Sequence, residues 1–285
     1  MRVIENFDLT NYNSYRIEST CAKAYLPETE DDIIALFQQK PGFQPVIIGG
    51  GYNIILSRNY YDNDFIIFSD NLSKYCIDGT TIKAEAGVSL YTLSNAALDN
   101  NLSGLEIFYD IPSSLGGAVV MNAGASGEEI KDLLIRVKYY DPVTNTINVI
   151  ERADMSFEYR NSTFQKNPHL IILNAELKLH AGEREAILQK MEATKSARWA
   201  KQPKNFPNAG SVFKRPPGRF VGPMIEQLGL KGYALGGAKV SEKHAGFIIN
   251  YDRATGRDIL DLIELIRTRV KEEFGVELEV EQRVI

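Results

Sequence analysis

Apolar residues recur at three- and four-residue steps along Ile259, Leu262, Ile263, Ile266, Val270 and Phe274, the spacing that lines one face of an α-helix. Thr255 stands where an N-cap would, Asp258 lies in the first turn and Gly275 follows the last apolar position, so the spacing predicts a core-packing helix with both ends marked. A second capped helix is predicted between Pro27 and Lys40, where Thr29 precedes Asp31, Asp32 and the spaced set Ile33, Ile34, Leu36 and Phe37. A third is predicted near residues 89–100, and residues 183–201 read as a charged helix. Short apolar runs predict strands. Val46, Ile47 and Ile48 form one that stops at Gly49, Gly50 and Gly51; Ile54, Ile55 and Leu56 resume it, and residues 65–68 form another. Residues 133–141 and 170–179 read as long strands, the second the run LIILNAELKL. Strands and helices mix without a βαβ alternation, which predicts an α+β fold rather than a doubly wound one.

The length of 285 residues corresponds to about two domains, and the change of texture near Gly182 predicts a boundary there. With 44% apolar and 24% charged residues, 22 Gly and 11 Pro, the chain is neither collagen-like, nor low-complexity, nor a disulfide miniprotein. The charge balance, 32 basic against 37 acidic residues for a net −5, lacks the cationic surplus that gripping a phosphate polymer requires. Nucleic acid is therefore excluded as the main partner, while a small anionic ligand in a local cationic pocket is not. Cys21 and Cys76 stand 55 positions apart and read as two buried free thiols in a reducing compartment. No metal-ligand spacing is present. Residues 1–12 carry a charge where a leader has its apolar stretch, and no apolar run approaches the ~18 residues of a membrane span. The expectation is a cytoplasmic protein without a membrane partner.

Five stretches could carry chemistry. Gly49, Gly50 and Gly51, followed by Tyr52 and Asn53, let a backbone approach a bulky anion and aim consecutive N–H groups at it; a plain tight turn is the alternative. Residues 110–127 hold Ile111, Pro112, Ser113, Ser114, Gly116, Gly117, Asn122, Ala123, Gly124 and Gly127. Their small side chains either pack against another backbone or line a flat ligand. Two such loops beside β structure suggest a pyrophosphate held by backbone amides. The third stretch is Tyr159-Arg160-Asn161-Ser162, whose Arg is either a structural ion-pair partner or an anion clamp. The fourth, Asn208-Ala209-Gly210-Ser211-Val212-Phe213-Lys214, exposes a hydroxyl in a turn. The G-x-S-x-G elbow of a serine hydrolase is missing, and none of His169, His180 and His244 is marked as a base, so a helix-capping serine is the plainer reading. The fifth places Lys231, Lys239, Lys243 and His244 in a glycine-rich region running to Asn250, local positive charge that suits a small polyanion or simply faces solvent.

In order, these stretches resemble the UDP-N-acetylenolpyruvoylglucosamine reductase family, the MurB flavoproteins. The resemblance runs from Asn13-Ser14-Tyr15-Arg16-Ile17 to Leu278-Glu279-Val280-Glu281. NAGSVFK, GLKG and GGAKVSEKHAGFIIN are its most diagnostic segments. It implies an FAD-binding portion with the vanillyl-alcohol-oxidase/p-cresol-methylhydroxylase fold, split as residues 1–70 and 71–182. A substrate domain follows at 183–285, its last strand near 278–285 able to return to the FAD domain. It also implies a reaction. NADPH reduces FAD, the flavin passes hydride to C3 of the enolpyruvyl ether of UDP-N-acetylglucosamine, and protonation of C2 gives UDP-N-acetylmuramate in peptidoglycan precursor synthesis.

By resemblance, Arg160 stabilises the enolate, Glu281 polarises it and Ser211 donates the proton. Gly49 to Asn53 and the stretch from Ile111 to Gly127 hold FAD. Tyr159, Lys214, Lys239, Lys243, His244 and Asn250 surround the uridine diphosphate and nicotinamide. The family usually has Ser at Tyr52, Gly at Glu18, Gly-Ile-Pro-Gly-Thr at residues 110–114, Ala-Asn-Phe at 245–247 and Pro at Val280. The 50 residues between Arg160 and Ser211 leave no room for the tyrosine-bearing loop of the family's longer type. The expected enzyme is a monomer acting on a small molecule. Another flavin-dependent oxidoreductase on this fold and a non-catalytic sugar-nucleotide binder are the alternatives.

Overall fold

The periodicity at residues 255–275 forms the helix Gly256–Phe274 in the computed structural model, which describes residues 1–69 and 71–285. The Thr255 hydroxyl accepts from the Asp258 amide at 3.1 Å, and the Asp258 carboxylate accepts from the Thr255 amide at 2.9 Å, a reciprocal capping box. Gly275 closes the helix at φ +65°, where an L side chain would be strained. Ile259, Leu262, Ile263, Ile266 and Val270 form the buried stripe. The same device starts Glu30–Gln39, capped by Thr29 and Asp32, and Ser89 caps Leu90–Asp99.

The chain divides into two compact units. The first comprises Met1–Ile4, Ala24–Gly50 and Asp64–Ala197; the second comprises Glu5–Lys23, Gly51–Asn63 and Arg198–Ile285. The division thus falls within the helix Arg184–Lys201 rather than at Gly182. The physical reason is packing: Ile187 and Met191 join Leu98 in one apolar cluster, which ties the start of that helix to the first unit. The boundary expected at residue 70 lies outside the described residues.

In the first unit a five-stranded antiparallel sheet runs Thr146–Glu151, Leu134–Asp141, Ile171–Lys178, Thr81–Glu85, Tyr75–Asp78. The apolar run at 170–179 is its buried centre. Ile172, Ala175 and Leu177 belong to the larger core, which includes Leu90, Leu93 and Leu115, and Ile171 and Leu173 to a smaller one around Ile33, Leu36 and Phe37. Both faces are covered from Ile171 to Leu173, where the run is wholly apolar; beyond it Asn174, Glu176 and Lys178 alternate with buried Ala175, Leu177 and Leu179. Cys76 lies on the outermost strand and is exposed, whereas Cys21 is buried; an edge strand with a solvated face leaves that thiol outside. The second unit holds a three-stranded antiparallel sheet, Ala234–Leu235, Ala238–Val240 and Ile248–Asn250, beside the helix Gly256–Phe274. The C-terminal strand Arg283–Val284 pairs parallel with Ile54–Ile55. Among the described residues no helix is long and apolar enough to cross a membrane.

Candidate active site

In the first unit, Val46–Ile48 pairs parallel with Phe65, Ile66 and Ile67 and delivers the chain into Gly49. A Cβ on Gly49 would lie 2.5 Å from Ser114 Oγ, and the Gly117 nitrogen is 4.0 Å from the same point. The two small-residue loops therefore meet. Residues 113–116 lie against residues 86–90: Leu90 N donates to Ser113 O at 2.9 Å, Leu115 N to Val88 O at 2.8 Å and Gly116 N to Ala86 O at 2.8 Å. Ser114 then caps the short helix Leu115–Met121, its hydroxyl accepting from Gly117 N.

The glycines of these loops differ in role. Gly51, at φ +69°, lies in the second unit, where a Cβ would fall 2.0 Å from Tyr12 O; a Cβ on Gly124 would fall 2.2 Å from Glu128 O. Those two are needed for close backbone packing. Gly127 has open space around it. Ile111 and Ala123 pack partly buried against the larger core, and Pro112 is exposed. Asn122 is fully buried in the left-handed region, and its amide donates to Glu129 Oε2 and Glu158 O at 3.0 Å each. Its side chain is thus a brace for the turn at residues 158–161. Arg160 sits on that turn at φ +54°. Its guanidinium donates to Asn122 O at 3.4 Å and Gly124 O at 2.9 Å and lies 5.1 Å from the Tyr159 ring centroid.

In the second unit, residues 211–214 thread between two other segments. Ser211 bridges Phe247, and Phe213 bridges Val280. Val212 N donates to Gly246 O at 3.0 Å, Lys214 N to Glu279 O at 2.9 Å, and Glu281 N to Val212 O at 2.8 Å. Ser211 is exposed and no helix starts there, so the capping reading fails. Ser211 and Glu281 are held on neighbouring extended segments. Tyr52 is exposed, and Asn53 Nδ2 donates to Glu281 O at 3.2 Å, so Asn53 braces the Glu281 backbone.

Residues 202–285 match the C-terminal domain of UDP-N-acetylenolpyruvoylglucosamine reductase, and residues 22–149 match an FAD-binding domain. The reductase of Syntrophomonas wolfei is 42% identical over 100% of this chain and 95% of its own, and that of Francisella tularensis 39% over 99% of each. The crystal structure of the Thermus caldophilus enzyme superposes with a TM-score of 0.83 at 30% identity, covering 99% of this chain and 98% of that one. The chain belongs to the UDP-N-acetylenolpyruvoylglucosamine reductase family.

The departures from the reductase pattern cost little backbone strain. Ser114 has φ −80°, and neither Glu18, Asp110 nor Ser113 is in the left-handed region. Replacing glycine there gives up no conformation that only glycine reaches. The α+β class and the N-terminal FAD-binding domain of this reductase agree with the expectation from sequence.

The cationic stretch lines a cavity of about 640 Å³ in the second unit, with Trp199, Phe206 and Tyr251 beside Lys204, Lys239 and Lys243. Lys239 pairs with Glu242 at 2.5 Å and lies 4.9 Å from the Tyr251 ring centroid. Lys243 Nζ donates to Trp199 O at 2.6 Å, and Lys214 pairs with Glu279 at 2.6 Å. Asn250 has a different place: its amide donates to Tyr15 O at 2.7 Å and its oxygen accepts from Ala254 N at 2.8 Å. It is 8% exposed, and both of these bonds go to backbone groups.

His244 lies within the second unit, where burial pushes its imidazole below the ordinary histidine range. Its Nδ1 accepts from Gly246 N at 3.1 Å, which assigns the ring proton to Nε2. Because the folded value lies below the unfolded value of about 6.5, the unfolded chain binds more protons as pH falls through that window. His244 therefore contributes full stability above about pH 6.5 and loses it below. In His244→Gln, the decline of Tm between about pH 7 and pH 5 should be shallower than in the unmodified protein; an identical decline would contradict this.

The sequence did not mark Gln282 or Tyr15. Gln282 is 4% exposed, its Nε2 reaching Ala209 O at 3.1 Å, Gly210 O at 3.3 Å and Ser211 O at 3.4 Å. Tyr15, wholly buried, donates its hydroxyl to Gln282 Oε1 at 2.9 Å, and burial pushes its phenol far up. The available signal was alternation: in an extended segment the neighbour of Glu281 points to the opposite side.

Proposed function

We propose that this chain reduces UDP-N-acetylglucosamine enolpyruvate to UDP-N-acetylmuramate with NADPH and FAD, in peptidoglycan precursor synthesis. The observation that carries the reading is the pairing of full-length reductase relatives with Ser211 and Glu281 held on adjacent segments through the Glu281 N to Val212 O bond. The cytoplasm is its place of action, and a monomer, without nucleic acid or membrane, is the acting species.

The meeting of Gly49 with Ser114 and Gly117 fits FAD, because an added Cβ would fill that cradle. Backbone amides of Gly49, Gly50, Ser113 and Ser114 would hold the pyrophosphate, since those of Leu115, Gly116 and Gly117 already serve Val88 O, Ala86 O and Ser114 Oγ. Bound there, FAD would supply hydride transfer from NADPH to C3 of the enolpyruvyl double bond. The displaced electron pair moves through C2 onto the carboxylate. Arg160 stabilises that developing charge with a guanidinium plane fixed by two backbone carbonyls, and Glu281 polarises the same enolate. Ser211 Oγ gives its proton to C2. A hydroxyl is a weak acid, but the enolate carbon is a strong base, so short and well-aimed transfer suffices. Lys214, Lys239, Lys243, His244 and Tyr159 receive the diphosphate and nicotinamide ends, and the aromatic residues of the 640 Å³ cavity offer stacking faces.

Two experiments check this reading. Turnover in D2O should give a product with deuterium at C2, seen by proton NMR; protium at C2 would overturn protonation by an exchangeable hydroxyl. Gly49→Ala should lower FAD affinity roughly tenfold or more, because overpacking costs about 1–3 kcal/mol. Adding Ser114→Ala, which removes the clashing oxygen, should recover most of it. Unchanged flavin retention in Gly49→Ala would remove this loop from the cofactor site.

A further inference from the structure

Ser211 sits in a loop that no regular strand ladder fixes. Gly210 has φ +80°, and the loop is pinned from within by Asn208, whose Nδ2 donates to Pro203 O at 3.0 Å and Phe206 O at 2.8 Å and whose oxygen accepts from Gly210 N at 3.1 Å. From outside, three consecutive carbonyls converge on one amide, that of Gln282. We propose that Gln282 is a positioning residue for Ser211 in the protonation step, and that Tyr15 sets the orientation of its amide. This rests on the reading of Ser211 as the proton donor.

The chemistry follows from the donor inventory. A glutamine amide has two N–H donors and one acceptor oxygen, and rotation by half a turn exchanges them. In the observed orientation the two hydrogens serve the carbonyls of Ala209, Gly210 and Ser211. Rotated, the amide oxygen would face three carbonyl oxygens and lose the Tyr15 hydroxyl bond. Tyr15 is fully buried, so its hydroxyl requires a partner, and donating to Oε1 locks the amide. Tyr15 is in turn tied through its own carbonyl to Asn250, so the lock belongs to a buried framework. Holding the Ser211 carbonyl fixes ψ at that residue, and with the bridge to Phe247 this limits where Oγ points. Glu281 and Gln282 are consecutive in an extended segment, so their side chains diverge. One dipeptide thus supplies the carboxylate and the brace of the serine.

The test uses the FAD-loaded enzyme and separates two half-reactions by stopped flow, in Gln282→Leu, in Tyr15→Phe/Gln282→Leu and, alongside, in Ser211→Ala. Gln282→Leu leaves the Tyr15 hydroxyl buried and unpaired and should lower Tm. The double variant removes the orphaned hydroxyl and should recover the part of Tm that it cost, while the carbonyls of residues 209–211 still lack their donor. If the brace positions the serine, the double variant still reoxidises with the enolpyruvyl sugar nucleotide ~10–100-fold more slowly, since small misplacement of a reacting group costs that much. Flavin reduction by NADPH stays close to the unmodified rate. Amide hydrogen exchange at residues 209–212 should quicken in both Gln282 variants. Reoxidation at the unmodified rate in the double variant, equal losses in both half-reactions, or a double variant whose Tm is no higher than that of Gln282→Leu would overturn the inference. Unmodified reoxidation in Ser211→Ala would instead sink the proton-donor reading beneath it.

Discussion

Ser211→Ala holoenzyme should be reduced by NADPH at nearly the unmodified rate, yet its flavin should be reoxidised by the enolpyruvyl sugar nucleotide about 10²–10⁴-fold more slowly, the range over which a positioned general acid contributes. Ser211 is exposed and its role here is made through Oγ alone, so the alanine leaves the loop's carbonyl bonds to Gln282 in place. Stability should change by less than about 1 kcal/mol, as for other exposed substitutions. A variant that fails in flavin reduction rather than reoxidation would give Ser211 a different job.

Arg160→Lys should lower kcat about 10²–10³-fold, the scale seen when one preorganised donor to a developing anion is lost, although the positive charge remains. The guanidinium is oriented by two carbonyls, Asn122 O and Gly124 O, through separate nitrogens. An ammonium is a point charge on a flexible stem and cannot reproduce that plane. The left-handed backbone at φ +54° is equally unfavourable for both residues, so the substitution isolates the head group. Steady-state turnover with saturating NADPH checks this, and normal turnover would remove Arg160 from the mechanism.

Much of the fold was legible because its signals are local. The Thr255 and Asp258 capping box, the Gly275 stop and the stripe from Ile259 to Val270 are all written within one helix, and the apolar start and alternating end of residues 170–179 announce a strand. The division into units was less legible, because it depends on Ile187 and Met191 packing with Leu98, a long-range pairing with no local mark. For the same reason the outward placement of Cys76 on an edge strand escaped a reading based on residue type.

At the candidate site the side chains proposed to react stand in ordered motifs, while the residues that hold their backbone do not. Asn250 is in a diagnostic segment, yet its amide serves Tyr15 and Ala254. Asn122 sits in a glycine-rich stretch and braces the Arg160 turn. Gln282 stands next to Glu281 and carries no chemistry of its own. Such residues act by hydrogen bonds to backbone groups, and a sequence motif does not say which backbone will arrive opposite them.

The most direct measurement is NADPH oxidation by the purified protein with added FAD, with and without UDP-N-acetylglucosamine enolpyruvate. The account predicts oxidation that depends on the enolpyruvyl sugar and yields UDP-N-acetylmuramate in equal amount. A flavin-loaded protein that oxidises NADPH at the same rate whether or not that sugar is present, or a protein that binds the sugar nucleotide without retaining flavin, would contradict it.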